Sequence, residues 1–263
     1  IKGGKIMGLN YLSRMNTNQV KELEKKTNLV FLPIGPTEVH ATHLPMATDV
    51  VSAVDMVERA AEKLRKKGIE CLIAPALNYC LADVANVFHG NTTLRPETVA
   101  AVVGDICVSV AKWGFTKIVI VCGHGEPRNV DAINKGVEYA KGVNKNIDAV
   151  VSQWLGKGMP LMNGVCKEEH PELDIHAGEI ETGLMLNRCP ELVDLEALSK
   201  LEPNWNGTTF FEDLANGIDN FIDLGAPLAY LGDPRIATAE TGEKVYDIFS
   251  DIVTDEAEEL VKK

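Results

Sequence analysis

The amino-acid sequence predicts an α/β fold, a mostly parallel central sheet with helices on both faces. Three observations carry this expectation. The runs LVFLPIG (29–35), IECLIAP (69–75) and KIVIVCG (117–123) are continuously apolar, as strands buried on both faces are. Stretches with apolar residues at spacings of three and four lie between them, so strand and helix alternate along the chain. The length of 263 residues, 45% of them hydrophobic, suits one sizeable core, and a single domain over 1–263 is expected.

The elements follow in order. TNQVKELEKK (17–26) reads as a short amphipathic helix capped by Thr17 or Asn18. The strand 29–35 ends at Gly35. VSAVDMVERAAEKLRKKG (51–68) is a helix with basic residues gathered at its end and Gly68 as its stop. After the strand 69–75, Pro96 opens a helix to about Lys112. The strand 117–123 leads to a helix over about 129–139, and IDAVVSQW (147–154) is a further strand. Residues 155–175 are rich in Gly and Met without a period and read as a long loop, a length often tied to function. GEIETGLMLNR (178–188) is a short helix, 189–235 is irregular, and a last helix covers about 241–261.

The formal net charge of −12 argues against nucleic acid, which needs cations to displace counterions from phosphates. It equally argues against a basic membrane-surface helix. No apolar run reaches the roughly 18 residues of a membrane span, and the opening IKGGKIMGLN lacks an apolar signal core, so a cytoplasmic protein is expected. The six cysteines form no C-x-x-C pair and most sit in apolar runs, as buried reduced thiols do.

Chemistry concentrates where two strands end. PTEVHATHLPMATD after the first strand holds Glu38, His40, His43 and Asp49; GHGEPRN after the third holds His124 and Glu126. Ligands in open α/β sheets bind beyond the carboxyl ends of the strands, so both clusters are expected on one rim. Glu-x-His and His-x-Glu pairs in turning backbone can aim at one point, with Gly123 and Gly125 freeing a tight path. Three carboxylates and two imidazoles suit divalent ions of the Zn or Mn type better than Ca. Asp49 also matches an N-cap pattern, and serves as cap, ligand or both. A third cluster, DIHAGEIETGLML (174–186), offers His176 as a proton shuttle near neutral pH. Glu179 and Glu181 open its helix, where the macrodipole favours acids regardless of function. Trp154 and Trp205 are either core residues or walls for a flat ring.

These motifs resemble the creatininase (creatinine amidohydrolase) family. LPIGPTEVHATHLPMATD, VCGHGEPRN and HAGEIETGLML match its three signatures in order, with weaker echoes in GNTTLRPETV and LGDPRIATAETG. The resemblance implies a three-layer α/β/α sandwich and two divalent metal ions, Zn or Mn, with Fe as another option. It implies Glu38 and His124 on one ion, His40 and Glu126 on the other, and Asp49 bridging. Glu126 is expected to act in catalysis as well as binding, His176 to be the catalytic histidine, and Glu181 to face the substrate or support the ligands. Family members often form hexamers. The sequence departs from the family at Ala41, where Gly is common, at Pro127, and at His89, which is either a pocket group or an ordinary core or surface histidine.

The implied activity is hydrolysis of a C–N bond in a cyclic or related amide small molecule, with water activated by the metals and its proton passed on by His176. Relatives acting on formamides, or cleaving a C–C bond in inosose-type ketones, are alternatives within the family. A non-catalytic protein with a structural metal is the alternative outside it, although such sites are usually closed and rich in thiolate. A serine hydrolase is disfavoured by the lack of G-x-S-x-G, and Cys122 as a nucleophile by its place at the end of a buried strand.

Overall fold

A computed structural model describes residues 8–168 and 170–262. The opening residues 1–7, read above for their lack of a signal core, lie outside it. Five parallel strands form one sheet in the order β1 (Asn10–Tyr11), β3 (Leu72–Ile73), β2 (Leu29–Ile34), β4 (Lys117–Cys122), β5 (Asp148–Val151). The two-residue strand β1 (Asn10–Tyr11) has too little pattern to be seen in the sequence. Helix α1 (Thr17–Glu24) is capped by Asn16, not by Thr17 or Asn18. The Asn16 side chain accepts from the Asn18 and Gln19 amides and the Gln19 side chain accepts from the Asn16 amide, a reciprocal capping box.

Strand β2 (Leu29–Ile34) occupies the middle of the sheet, and helix α2 (Thr48–Lys66) follows the loop after it. Strand β3 (Leu72–Ile73) pairs over fewer residues than the apolar run 69–75 suggests. Helix α3 (Pro96–Ala111) starts at its proline, and strand β4 (Lys117–Cys122) pairs along the full length of β2. Helix α4 (Pro127–Val143) is longer at both ends than its amphipathic stretch. Strand β5 (Asp148–Val151) stops before Trp154, which instead opens the short helix α5 (Trp154–Gly158) inside the expected loop. Helix α6 (Glu179–Arg188), the turns α7 (Leu195–Leu198) and α8 (Phe210–Ala215) and the long helix α9 (Ala239–Lys262) complete the chain.

Alternation along the strands divides the core. Val30, Leu32 and Ile34 of β2 with Ile118, Ile120 and Cys122 of β4 face α3 and α4. Leu29 and Phe31 with Val119 and Val121 face α2, α6 and α9. A period of two inside a run that looks uniformly apolar is what a doubly covered parallel sheet requires. The result is three layers, helix on sheet on helix, as the sequence predicts. All six cysteines are buried and free. No helix among the described residues is long and apolar enough to cross a membrane.

Candidate metal centre

The middle strands β2 and β4 are neighbours, so the loops leaving their carboxyl ends meet over the sheet. Two glycines allow the N-terminus of α2 to close against both. A Cβ on Gly35 would lie 2.4 Å from the Val50 amide nitrogen, and one on Gly123 would lie 2.1 Å from the Asp49 carbonyl oxygen. Gly123 and Gly125 do not have positive φ, so the expected need for a special turn is corrected: Gly123 is there to let the backbones touch. Asp49 sits in the first turn of α2 and makes no capping bond; its carboxylate points between the two strand ends. Ala41 takes the left-handed conformation, φ 52°, with its amide donating to the Ala229 carbonyl. A non-glycine residue there costs about 1–2 kcal/mol, which the surrounding loop must offset.

Glu38, His40 and Asp49 are almost fully buried, and His124, Glu126 and His176 nearly so. His40 donates its Nδ1 proton to the Glu38 carbonyl, 3.1 Å away. That bond fixes the tautomer and turns Nε2 toward Asp49 Oδ1 at 3.3 Å and Glu181 Oε2 at 3.6 Å. The other Asp49 oxygen, Oδ2, lies 3.6 Å from His124 Nδ1, which is 3.0 Å from Glu38 Oε2. Potential ligand atoms therefore fall into tight groups, Glu38–Asp49–His124 and His40–Asp49–Glu181, with Asp49 in both; a further grouping joins Glu38, His40 and His176.

Glu181, not Glu126, stands beside His40. Glu126 Oε2 accepts from the Asp83 amide at 3.0 Å and lies 3.6 Å from His124 Nε2, while Oε1 is buried without a partner. The start of α6 is tied to the loop after β2, by Thr182 to His43 and by His176 to the Val39 carbonyl, and this brings Glu181 beside His40. Both Glu38 oxygens, Asp49 Oδ2, His40 Nε2 and His124 Nε2 are likewise buried without hydrogen-bond partners among the described residues. So many unpaired donors and anions in one dry place are costly unless a cation satisfies them. Nitrogen and oxygen ligands without thiolate fit Zn or Mn.

The proton balance agrees. Burial works against ionised Glu38, yet the His124 charge outweighs it and holds the carboxyl well below its usual range. Burial pushes Asp49 up to about 7 despite His40. Burial alone would lower His40 and His124, but the carboxylates around them raise both well above an ordinary imidazole. Burial would also raise Glu181, but the His40 charge and the Ala177 amide hold it at about 2. Protons on the two imidazoles occupy the electrostatic place that cations would take.

His176 comes from the turn before α6. Its Nε2 donates to the Val39 carbonyl at 2.8 Å, leaving Nδ1 free, 3.9 Å from Glu181 Oε2. Burial, then the neighbouring His40, lowers its basicity, so it rests neutral. Ala177, in the left-handed region at φ 49°, turns the chain so that His176 and Glu181 face the same space. Glu179 is structural: it accepts from the Lys167 and Glu168 amides and ties down the preceding loop. His43 is buried and shares a hydrogen bond with Thr182 at 2.8 Å. His89 is exposed and Trp205 does not line the cleft. Trp154 does, with its Nε1 donating to the Cys122 carbonyl at 2.7 Å. The Phe210, Phe211 and Phe221 wall is not legible in the sequence, because aromatic residues in an irregular stretch carry no period.

A buried nitrogen–oxygen donor set on the carboxyl rim of a parallel sheet is an arrangement that can hold divalent ions. The comparisons give the family: the model for creatininase (creatinine amidohydrolase) matches residues 13–256, and the chain belongs to that family of hydrolases. It is similar to the mycofactocin precursor peptide peptidase of Mycobacterium ulcerans (strain Agy99), 27% identical over 93% of this chain and 89% of that protein. It is similar to the creatinine amidohydrolase of Pseudomonas putida, 31% identical over 64% of this chain and 67% of that protein. Its fold matches a solved creatininase structure (creatininase Mn) with a TM-score of 0.80, at 22% identity, over 97% of this chain and 100% of that one.

Proposed function

We propose that this protein hydrolyses the C–N bond of an amide, using two divalent cations, Zn or Mn, held by Glu38, Asp49 and His124 on one side and His40, Asp49 and Glu181 on the other. The observation that carries the reading is the convergence of buried, unpartnered ligand atoms at the floor of a cleft. Such cations supply an acidified water and a Lewis acid for the carbonyl oxygen. Glu126 lines the cleft with Oε2 fixed by the Asp83 amide and Oε1 left without a partner, and it orients the attacking water. His176 Nδ1, unprotonated while Nε2 donates to the Val39 carbonyl, takes the proton of the attacking water and carries it to the leaving nitrogen. The cleft encloses a cavity of about 130 Å³ that opens to solvent, room for a compact ring or a single side chain at the centre with the rest of the substrate outside. Its relatives named for peptide and for creatinine hydrolysis support amide chemistry at this centre. A homo-oligomer, hexameric as in the family, and a cytoplasmic location belong to the same reading.

The test strips metal with a chelator, restores Zn or Mn, and assays creatinine, formamides, inosose-type ketones and short peptides. Amide hydrolysis that disappears with the metal and returns with it is the expected result. Activity indifferent to chelation would end the proposal, and turnover confined to the ketones would move the protein to the C–C-cleaving branch. Tightly held metal with no turnover would favour a structural role.

A further inference from the structure

The cleft has two kinds of surface. Its floor is the ionisable set described above, and every other residue lining it is glycine, proline or apolar. The Trp154 N–H is already spent on the Cys122 carbonyl. Outside the centre, no side chain lining the cleft among the described residues is free to hydrogen-bond a substrate. Across the mouth stand Phe211 and Leu155, 60% and 37% exposed. Behind Phe211 an aromatic row runs inward: Phe211 meets Phe210 edge-on at 5.3 Å, Phe210 lies 6.1 Å from Phe221, and Phe221 stacks on His176 at 4.6 Å. The apolar wall therefore ends at the imidazole that serves the leaving nitrogen.

Building on the proposed amide hydrolysis, we infer that this wall receives a large apolar side chain on the leaving amine, so that the substrate is a peptide with an aromatic or branched aliphatic residue directly after the scissile bond. A compact polar ring such as creatinine would turn N–H groups toward phenylalanine and leave them unpaired, a loss of roughly 5- to 150-fold in binding. The reaction balances without a further reactant. Water oxygen bonds to the acyl carbon, the C–N bond breaks, and the water proton ends on the released amine.

The experiment uses the full chain reconstituted with Zn or Mn and a series of N-acetylglycyl-X amides, X being Gly, Ala, Leu or Phe, beside creatinine. The expected kcat/KM rises by roughly 10- to 100-fold from Gly to Phe, as burial of one large side chain allows. Phe211→Ala should shrink the Phe-over-Gly ratio about tenfold, and Phe211→Leu should restore most of it, with metal content per chain unchanged. Equal rates along the series, or a preference for creatinine, would overturn the inference and leave amide hydrolysis standing. Should no amide turn over, calorimetry decides: phenylalaninamide binding more tightly than glycinamide, and losing that advantage in Phe211→Ala, supports the wall, whereas equal binding removes it.

Discussion

At the residue scale, His176 and His43 show how the same side chain can be set to different tasks. His176 Nδ1 faces the centre with no partner closer than Glu181, whereas His43 spends Nε2 on Thr182. Replacing His176 with Ala should leave two metals per chain and cut kcat by roughly 10²–10⁴-fold, the range for a lost proton carrier. Metal analysis beside the kinetics checks this, and loss of metal would make His176 a ligand instead. His43 is lowered to about 4 by burial and by the nearby His40. Its folded form is neutral, while the unfolded chain takes the proton near 6.5. Its stability contribution is therefore complete above 6.5 and is lost as pH falls toward 4. In metal-free protein, the stability advantage of wild type over His43→Gln should shrink by up to about 3 kcal/mol across that window. An advantage that stays constant through denaturant melts in the window would exclude His43 as the source. The sequence made the identity of most centre residues legible, because Glu-x-His and His-x-Glu follow buried strands. It did not make the pairing legible: that Glu181 rather than Glu126 meets His40 depends on where α6 lands, which local spacing does not encode.

At the element scale, close backbone crossings set the geometry. Helices α6 and α9 touch where Gly183 meets Gly242, and a Cβ on Gly242 would lie 1.9 Å from the Gly183 carbonyl oxygen. Gly183 is two residues from Glu181, so this crossing fixes the height at which that carboxylate enters the centre. Gly242→Ala should cost about 1–3 kcal/mol of stability by forcing the helices apart, and should also weaken metal binding. Melting and metal titration on the same preparation check both, and an unchanged melt with unchanged affinity would show the crossing to be slack. The long strands and helices were readable from apolar continuity and from three-four spacing. Strand β1, with two residues, and α5, with two glycines in five, fall below what those patterns resolve.

At the scale of the whole molecule, the sheet holds like charges together, and the cations are expected to repay that cost. Free metal at about 100 times its dissociation constant adds about 2.7 kcal/mol. For a domain of this size that is roughly 5–10 °C in melting temperature. Thermal melts with chelator, and then with Zn or Mn restored, measure it, and a melting temperature indifferent to both would deny a bound metal. The aromatic row has a consequence for how this scaffold diversifies. Phe210, Phe211 and Phe221 belong to one stretch of chain, and the candidate ligands come from three others; the stretch is tethered by the Phe221 amide to the Val84 carbonyl, and the chain just after it by backbone bonds from Ala41 to Ala229 and from Leu231 to His176. Recognition and reactivity are thus separately heritable, and transplanting residues 205–226 from a relative should carry its taste in substrates without disturbing the ions.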